Sequence, residues 1–476
     1  SLCHNLFNCK LLFYQLRPLM SENFTDQGGA ATSNPSAFER WVTSKVMTKT
    51  ASQPRLEKKR RKIERQRVKS KQPHVVEYFH QLDDAYSYLA VQLLSKLIRA
   101  YSVELRIHLV SGPAGDNSPE PELLNKLSIV DCANVAPYYG LNFNQDTKPP
   151  STDNIALATA IFTALSTQQR LSGLLQISNA IWCDDYEGLV RLKEKFGVAS
   201  SEQSLAEVSR GDARQAALKH YSGAMFYYGG EWYWGVDRFY HLENRLLALG
   251  ANNNSDAKLV MPRPEINAGK SKGNGSLTLE IYPSLRSPYS SFIFEKAIEL
   301  VEQTGVKMVL RPVIPMVMRG VSLTRTKGLY IFADASREAH ALGIDWAKKT
   351  YDPIGTPVIR AFSLFPWARQ QGKEVQFLTA FFHAAFFDGV NTNSDKGLQV
   401  VVENAELSWQ DAQQVIDNTD WHAELEANRL AMYEFDSWGV PSFRLLDENG
   451  KTLLGTWGQD RLWLVAKVIE QHINNT

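Results

Sequence analysis

Ser287-Pro288-Tyr289-Ser290 decides the fold of this chain, because it joins a predicted strand to a predicted helix. Before it, residues 276–282 alternate apolar and polar side chains, which is typical of a half-buried strand. After it, apolar side chains recur at helical spacing: Phe292, Ala297, Leu300 and Val301. Ser287 suits the N-cap of that helix, Pro288 its first position and Gly305 its end. The stretch therefore predicts a strand–turn–helix unit with a hydroxyl where the helix begins.

The position of this hydroxyl suggests a binding function. A helix N-terminus presents unpaired backbone N–H groups and the positive end of the helix dipole, which stabilise an anion or a thiolate. Ser287 and Ser290 have the S-x-x-S spacing where a thiol oxidoreductase carries C-x-x-C. Such a site can bind a thiol without forming a disulfide to the protein. The alternative is that Ser287 only caps its helix, since serine is common at that position.

Length and composition indicate a multidomain globular protein. The chain has 476 residues, which is enough for two or three domains, with 44% hydrophobic and 22% charged residues. A net charge of +1 argues against nucleic-acid binding, and no apolar run is long enough to span a bilayer. Four cysteines form neither a C-x-x-C nor a metal-binding pattern: Cys3, Cys9, Cys132 and Cys183. We therefore expect a cytoplasmic protein without a metal site or a membrane partner.

Residues 1–73 are predicted to be a disordered, basic extension. Residues 21–53 are rich in Ser, Thr, Asn, Gly and Ala, a composition typical of disorder. Residues 55–71 carry ten Lys and Arg against two Glu. Such a run can contact nucleic acid or acidic lipid. Because charge runs are more often solvated, we favour a solvated, partly helical lead-in to the first domain.

The rest of the chain consists of two similar halves. Residues 74–250 and 277–476 each begin with a strand, a helix and a strand, continue with a helical block, and close with a hairpin and a helix. Trp234-Gly235-Val236-Asp237-Arg238 in the first half matches Trp457-Gly458-Gln459-Asp460-Arg461 in the second. Residues 251–276 have the composition of a linker. The predicted fold class is α/β, with two tandem domains that each carry a helical insertion.

Five motifs in the second half occur in the order and at the spacings of a known family. They are Ser287-Pro288-Tyr289-Ser290, Leu310-Arg311-Pro312-Val313, Thr326-Lys327-Gly328-Leu329-Tyr330, Gly439-Val440-Pro441-Ser442-Phe443 and Trp457-Gly458-Gln459-Asp460-Arg461-Leu462. With them, this half resembles the 2-hydroxychromene-2-carboxylate isomerases and the kappa-class glutathione transferases, in the DsbA-like branch of the thioredoxin superfamily. Residues 74–249 resemble the same family with altered motifs. The resemblance implies two tandem thioredoxin-like (DsbA-like) domains.

The resemblance also implies a glutathione site in the second half. In the family, the serine that matches Ser287 hydrogen-bonds the sulfur of glutathione, and the loop that matches Val440-Pro441 carries a cis-proline and pairs with the cysteinyl part of the peptide. Lys327 matches a lysine that reaches the glycyl carboxylate. Three further residues match a turn that can hold the γ-glutamyl moiety: Gln459, Asp460 and Arg461. Each position also has a structural explanation, as a helix cap, a strand-start proline, a surface lysine or a helix-terminal turn.

The first half departs from the family pattern at two places. Asp84-Ala85 stands where Ser-Pro is expected, and Ala224 stands where the loop proline is expected. A carboxylate beside a thiolate repels it, which undoes the activation. Without the proline, the loop is expected to have a trans peptide bond. We therefore expect the first domain to be structural or regulatory, with little or no glutathione activation.

These features predict a glutathione-dependent isomerase or transferase, with glutathione as cosubstrate and a small electrophile, such as an aromatic one, as its partner. One alternative is a non-catalytic thioredoxin-fold binding or scaffold protein. A protein disulfide oxidoreductase is disfavoured, because the chain lacks C-x-x-C. Related proteins dimerise, so an internal pseudo-dimer of the two halves or a homodimer is expected by analogy.

Overall fold

The chain is divided into two compact units. The computed structural model describes residues 34–254, 258–321 and 323–475. Of the described residues, those between 53 and 265 form what we call the first unit; residues 34–52 and those between 266 and 475 together form the second unit. The expectation of disorder for residues 21–33 lies outside the described residues.

The described elements up to residue 254 are, in chain order, α1 (Ala37–Ala51), α2 (Gln53–Lys69), β1 (His74–His80), α3 (Ala85–Val91), α4 (Leu94–Ala100), β2 (Val103–Leu109), α5 (Pro121–Val135), α6 (Thr152–Ala164), α7 (Arg170–Trp182), α8 (Tyr186–Phe196), α9 (Ser201–Ala217), β3 (Met225–Tyr228), β4 (Glu231–Trp234) and α10 (Phe239–Ala248). Helices α5 to α9 lie between the second and third strands. They form the helical insertion expected for the first half.

The elements after residue 258 are β5 (Thr278–Tyr282), α11 (Pro288–Thr304), β6 (Lys307–Leu310), α12 (Arg325–Ala341), α13 (Thr356–Gln370), α14 (Glu374–Phe386), α15 (Asp395–Asn404), α16 (Trp409–Val415), α17 (Trp421–Tyr433), β7 (Ser442–Leu446), β8 (Thr452–Trp457) and α18 (Leu462–Asn475). Helices α12 to α17 form the second insertion. Short 3-10 turns precede α12 and α18, at Met316–Arg319 and Gln459–Arg461.

Each unit contains one four-stranded sheet, and the two sheets have the same topology. The strand orders are β2-β1-β3-β4 and β6-β5-β7-β8. In each sheet, the two strands that come first in the sequence are parallel, namely β1 with β2 and β5 with β6. The other neighbouring pairs are antiparallel. The parallel pair follows from the strand–helix–strand start of each half, because parallel neighbours need a crossover connection. The repeat seen in the sequence therefore corresponds to two sheets of equal order.

A buried glutamate occupies the central strand of each sheet. Glu77 on β1 accepts hydrogen bonds from His108 at 3.0 Å and from Arg214 at 2.6 and 2.8 Å. Glu280 on β5 accepts one from Arg311 at 2.7 Å. Burial opposes ionisation of Glu77, but its hydrogen bonds from Arg214 and His108 outweigh burial and lower its pKa to about 2. Each sheet thus holds a paired carboxylate on the strand that leads to its helix cap.

The segment before β1 differs from the disorder expected for residues 21–53 and for residues 1–73 as a whole. In the described part of this range, α1 begins at a capping box between Ser36 and Glu39 and packs its buried face within the second unit. The composition of this segment predicted disorder because the buried face of α1 is polar. The helix therefore has no apolar stripe that would indicate packing. Helix α2 matches the helical lead-in, and Arg60 anchors it to Glu231 at 2.8 Å.

The linker predicted at residues 251–276 contains no helix or strand in its described part. Its first portion is tied to the first unit, because the Val260 and Met261 N–H groups donate to the buried Glu243 carboxylate at 2.7 and 2.9 Å. Its last portion belongs to the second unit, where Gly273 N–H donates to the Thr304 carbonyl at 2.7 Å. The linker is therefore fastened at both ends.

Candidate active site

Ser287 caps α11 as its sequence context predicts. Its backbone is extended (φ −80°, ψ 118°), and its hydroxyl oxygen accepts the Ser290 N–H at 3.1 Å. Pro288 is the first helical residue, and Gly305 ends the helix in the left-handed conformation with φ 70°. The Ser287 side chain is only half-buried. The hydroxyl therefore lies at the positive end of a 17-residue helix and remains accessible to a ligand.

The proline loop lies directly beside this serine. The Val440–Pro441 peptide bond is cis, as expected from the motif. The Ser287 hydroxyl donates to the Val440 carbonyl at 3.3 Å, and Gly458 N–H donates to the Pro441 carbonyl at 2.9 Å. Residues from three distant parts of the second unit thus meet at the start of α11.

The three residues predicted in the closing turn differ in accessibility. Gln459 and Arg461 are buried, and the Gln459 amide donates to Glu338 of α12 at 2.6 Å. Asp460 is half-buried, and its carbonyl accepts from Arg461 at 3.1 Å. Asp460 is the least buried of the three, and its carboxylate lies 3.9 Å from the Arg461 guanidinium.

Lys327 lies in the first turn of α12, where its N–H donates to Thr324 at 3.2 Å. Its Nζ is 5.8 Å from the centre of the Trp438 ring, which in turn packs against Trp457 at 5.0 Å. Burial lowers the pKa of Lys327. Since Trp438 lies two residues before Val440, the ammonium group is near the proline loop. Lys327 is therefore partly buried rather than a fully solvated surface lysine.

The structure adds Tyr289, which sequence reasoning missed. Its hydroxyl donates to the buried Asp334 carboxylate at 2.8 Å, and Asp334 also pairs with Arg337 at 2.8 Å, as the helical spacing predicts. In the first unit, Tyr86 makes the same contact with Asp131 at 3.0 Å, again 45 residues along the chain. The equal spacing of the two Tyr–Asp pairs was the signal that could have revealed them.

Arg286 is a second residue that the sequence did not reveal. It precedes Ser287 and forms two hydrogen bonds with Asp352, at 2.8 and 3.1 Å. The Asp352 side chain is almost fully buried. A bidentate pair of this kind restrains both partners. Arg286, which directly precedes the Ser287 cap, is therefore held by a loop between α12 and α13.

The corresponding position of the first unit is filled by its own side chains. Asp84 caps α3 and accepts the Ser87 N–H at 2.9 Å and the Ser87 hydroxyl at 2.7 Å. Burial raises the pKa of Asp84 to about 6, although the hydrogen bonds from Ser87 oppose this rise. Ala224 stands in place of the proline with φ 55°, and its N–H donates to Ser87 at 2.8 Å. Among the described residues, the cis peptide is confined to Val440–Pro441, so the Ala224 bond is trans as expected.

Comparison with known protein families gives a match in the second half of the chain. Residues 278–470 match the DSBA-like thioredoxin domain. This DsbA-like domain spans β5 to α18 and contains every predicted site residue. The match does not extend to residues 34–277, so the similarity of the first half rests on its topology and on the sequence repeat.

Two solved structures are similar to part of this chain. A probable DsbA oxidoreductase from Streptomyces coelicolor has 20% sequence identity and a TM-score of 0.32, and the match covers 42% of this chain and 89% of that one. A 2-hydroxychromene-2-carboxylate isomerase has 16% identity and a TM-score of 0.36, covering 42% of this chain and 97% of the other. No protein with a curated description matches the chain.

No helix between residues 34 and 475, outside the short gaps, combines the length and apolar character needed to cross a membrane. Within the same residues, no three His, Cys, Asp or Glu side chains are grouped so that they could hold a metal ion.

Proposed function

We propose that the DsbA-like domain binds glutathione as a thiolate at Ser287 and uses it in an isomerase or transferase reaction. The observation that carries this proposal is the contact between the Ser287 hydroxyl and the Val440 carbonyl at 3.3 Å. It brings a hydroxyl donor, a helix N-terminus and the cis-proline loop to one point. Each of these favours a bound thiolate peptide.

Serine rather than cysteine at this point determines the kind of chemistry. Positions 287 and 290 are both serine and residues 277–476 contain no cysteine, so the domain has no thiol with which to form a mixed disulfide. By rotating away from Val440, the Ser287 hydroxyl can donate to the sulfur of glutathione instead. The hydrogen bond and the helix dipole would then lower the pKa of the glutathione thiol. The protein's contribution is a larger thiolate fraction at neutral pH.

The remaining site residues would hold the rest of the peptide. The backbone of Val440, next to Pro441, would pair with the cysteinyl residue, and Lys327 would reach the glycyl carboxylate. Asp460 would pair with the γ-glutamyl amino group. Because Gln459 and Arg461 are buried, we assign them a supporting role: they hold the turn that presents Asp460.

The bound thiolate would act as a nucleophile toward a small electrophile. Its sulfur forms a bond to an electrophilic carbon of a polarised double bond, and the π electrons move onto the substrate. Rotation about the resulting single bond, followed by loss of the thiolate, gives a cis–trans isomer and returns glutathione. If a proton is added to the substrate carbanion instead, the product is the glutathione conjugate. We place this activity in the cytoplasm, where glutathione is kept reduced.

A second candidate function applies to the first unit. Asp84 occupies the place of Ser287 and already accepts two hydrogen bonds from Ser87. An ionised carboxylate there would repel a thiolate. We infer that the first unit has a structural or regulatory role and that the chain binds one glutathione rather than two.

Calorimetric titration of the full chain with glutathione tests whether the DsbA-like domain binds glutathione and whether the chain binds one molecule rather than two. We expect one binding site per chain, and an affinity at least about tenfold lower in Ser287→Ala. Thermal unfolding gives an independent readout, because ligand at 100 times its Kd adds about 2.7 kcal/mol to the stability of the binding unit. The absence of binding and of any shift would refute the enzyme proposal and favour a scaffold protein. If binding occurs, a panel of electrophiles separates isomerisation from conjugation.

A further inference from the structure

Helix α1 has an unusual distribution of side chains. The face that packs within the second unit is polar, since Arg40 is 2% and Ser44 is 7% exposed, whereas Phe38 is 72% and Trp41 57% exposed on the outer face. A surface helix normally buries its apolar stripe. The packing of α1 therefore depends on specific hydrogen bonds. It also lies outside residues 278–470, so it is an addition to the matched domain.

The hydrogen bonds of α1 converge on one loop. Arg40 donates to the carbonyls of Asp352, at 2.9 Å, and of Ile354. The Ser44 hydroxyl accepts the Asp352 N–H at 2.9 Å, and Thr48 accepts the Thr350 N–H at 3.1 Å. Both backbone groups of Asp352 are thus held by α1. Because the guanidinium is buried, its loss would leave these carbonyls without their charged donor.

The same loop residue holds the start of the candidate site. The Asp352 carboxylate pairs with Arg286 through two hydrogen bonds, and Arg286 is bonded directly to Ser287. The Ser287 N–H donates to the Ser284 carbonyl at 2.9 Å, which completes the turn before α11. A continuous series of contacts therefore runs from α1 through Asp352 and Arg286 to the serine cap.

We propose that α1 is a positioning strap for the thiol site, and that Arg40 and Asp352 are positioning residues that fix the turn carrying Ser287. The strap sets where the Ser287 hydroxyl and the first N–H groups of α11 point. It also keeps the Arg286 guanidinium paired with Asp352. That the positioned group binds glutathione rests on the proposed function; that α1 restrains the turn does not.

Hydrogen–deuterium exchange of the full chain without ligand tests the restraint itself. In Arg40→Ala we expect amides of residues 284–291 to exchange about tenfold faster, since a buried charged hydrogen-bond donor is lost. Lys45→Ala is the matched control, because it removes a cation from the exposed face of the same helix. Asp352→Asn keeps the backbone contacts with α1 but weakens the pair with Arg286. It should speed exchange at residues 284–291 and leave α1 protected.

Glutathione affinity and the pKa of the bound thiol, followed by thiolate absorbance, complete the test. We expect Arg40→Ala and Asp352→Asn to bind glutathione about fivefold more weakly and to raise the pKa of the bound thiol. A loss of packing elsewhere in the unit would not raise the pKa of the bound thiol. Unchanged exchange at residues 284–291 in Arg40→Ala would overturn the strap even if glutathione binds. Faster exchange in a chain that does not bind glutathione would support the strap and refute only the proposed function.

Discussion

The Ser287 hydroxyl donates to the Val440 carbonyl at 3.3 Å, although 153 residues separate them in the sequence. The contact joins the cap of α11 to the loop before β7, and it places the hydroxyl of the proposed reaction beside the cis-proline backbone. The chemistry proposed for this domain depends on that arrangement.

Replacing Ser287 with alanine should abolish thiolate stabilisation. Ser287→Ala removes the donor to sulfur, so we expect glutathione affinity to fall at least about tenfold and the pKa of any bound thiol to rise. Titration calorimetry and thiolate absorbance measure these effects. The variant should also lose about 1 kcal/mol of stability as its helix cap is removed.

Ser408→Ala is the matched control, because Ser408 caps α16 in the same unit by accepting the Asp411 N–H. It should lose similar stability and keep its glutathione affinity. Equal effects of the two variants on binding would mean that Ser287 is only a cap.

Removing the charge of Lys327 should weaken glutathione binding without unfolding the domain. In Lys327→Met the side chain keeps its length and can still pack on Trp438, but the partner of the glycyl carboxylate is lost. We expect about a tenfold rise in Kd. Lys396→Met, which removes an exposed cation from α15, should bind normally. A Kd for Lys327→Met equal to that of wild type would remove this residue from the site.

The wild-type affinity should itself depend on pH through Lys327. Burial lowers the pKa of this ammonium group, so its charge is lost at a lower pH than for an exposed lysine. We expect binding to weaken as the pH rises through that pKa, and Lys327→Met to lack this alkaline decline. Titrations between neutral and alkaline pH check it.

Asp84 should make the stability of the first unit depend on pH. Its pKa is raised to about 6, so the folded state favours the protonated acid. The protonated Asp84 side chain therefore contributes fully to the stability of the folded state at pH values below the ordinary pKa of aspartate. This contribution is lost as the pH rises through about 6. Asp84→Asn keeps a capping side chain but does not titrate.

We expect Asp84→Asn to gain stability relative to wild type between pH 5 and pH 7.5, by on the order of 1 kcal/mol. Urea unfolding at several pH values measures the difference. A difference that stays constant over this range contradicts the raised pKa.

The two Tyr–Asp pairs provide a comparison inside one chain. Tyr289→Phe and Tyr86→Phe each remove a hydrogen bond to a buried carboxylate, and each should cost about 1–2 kcal/mol of stability. Tyr289 lies within the Ser-x-x-Ser turn, so only its variant should also weaken glutathione binding. Thermal unfolding and titration of both variants show the contrast. Weaker binding in Tyr86→Phe would mean that the first unit contributes to the site.

Several features of this fold could be predicted because their signals are local. Near neighbours in the sequence determine three of them: the alternation of apolar and polar residues in β5, the start of α11 at Ser287-Pro288 and the end of α11 at Gly305. The repeated order of strands and helices predicted two similar sheets. Resemblance to a family indicated the cis bond at Pro441, which composition and periodicity alone do not reveal.

The sequence by itself determined the elements, their order and the serine at the head of a helix, since backbone propensity, capping and periodicity act between near neighbours. Tertiary structure alone decided which residues surround that serine. It paired Arg286 with Asp352 and Gln459 with Glu338, and it ordered α1, whose partners lie about 300 residues away. Contacts of this kind depend on which side chains the packed elements bring within hydrogen-bonding distance, and no local pattern specifies that distance.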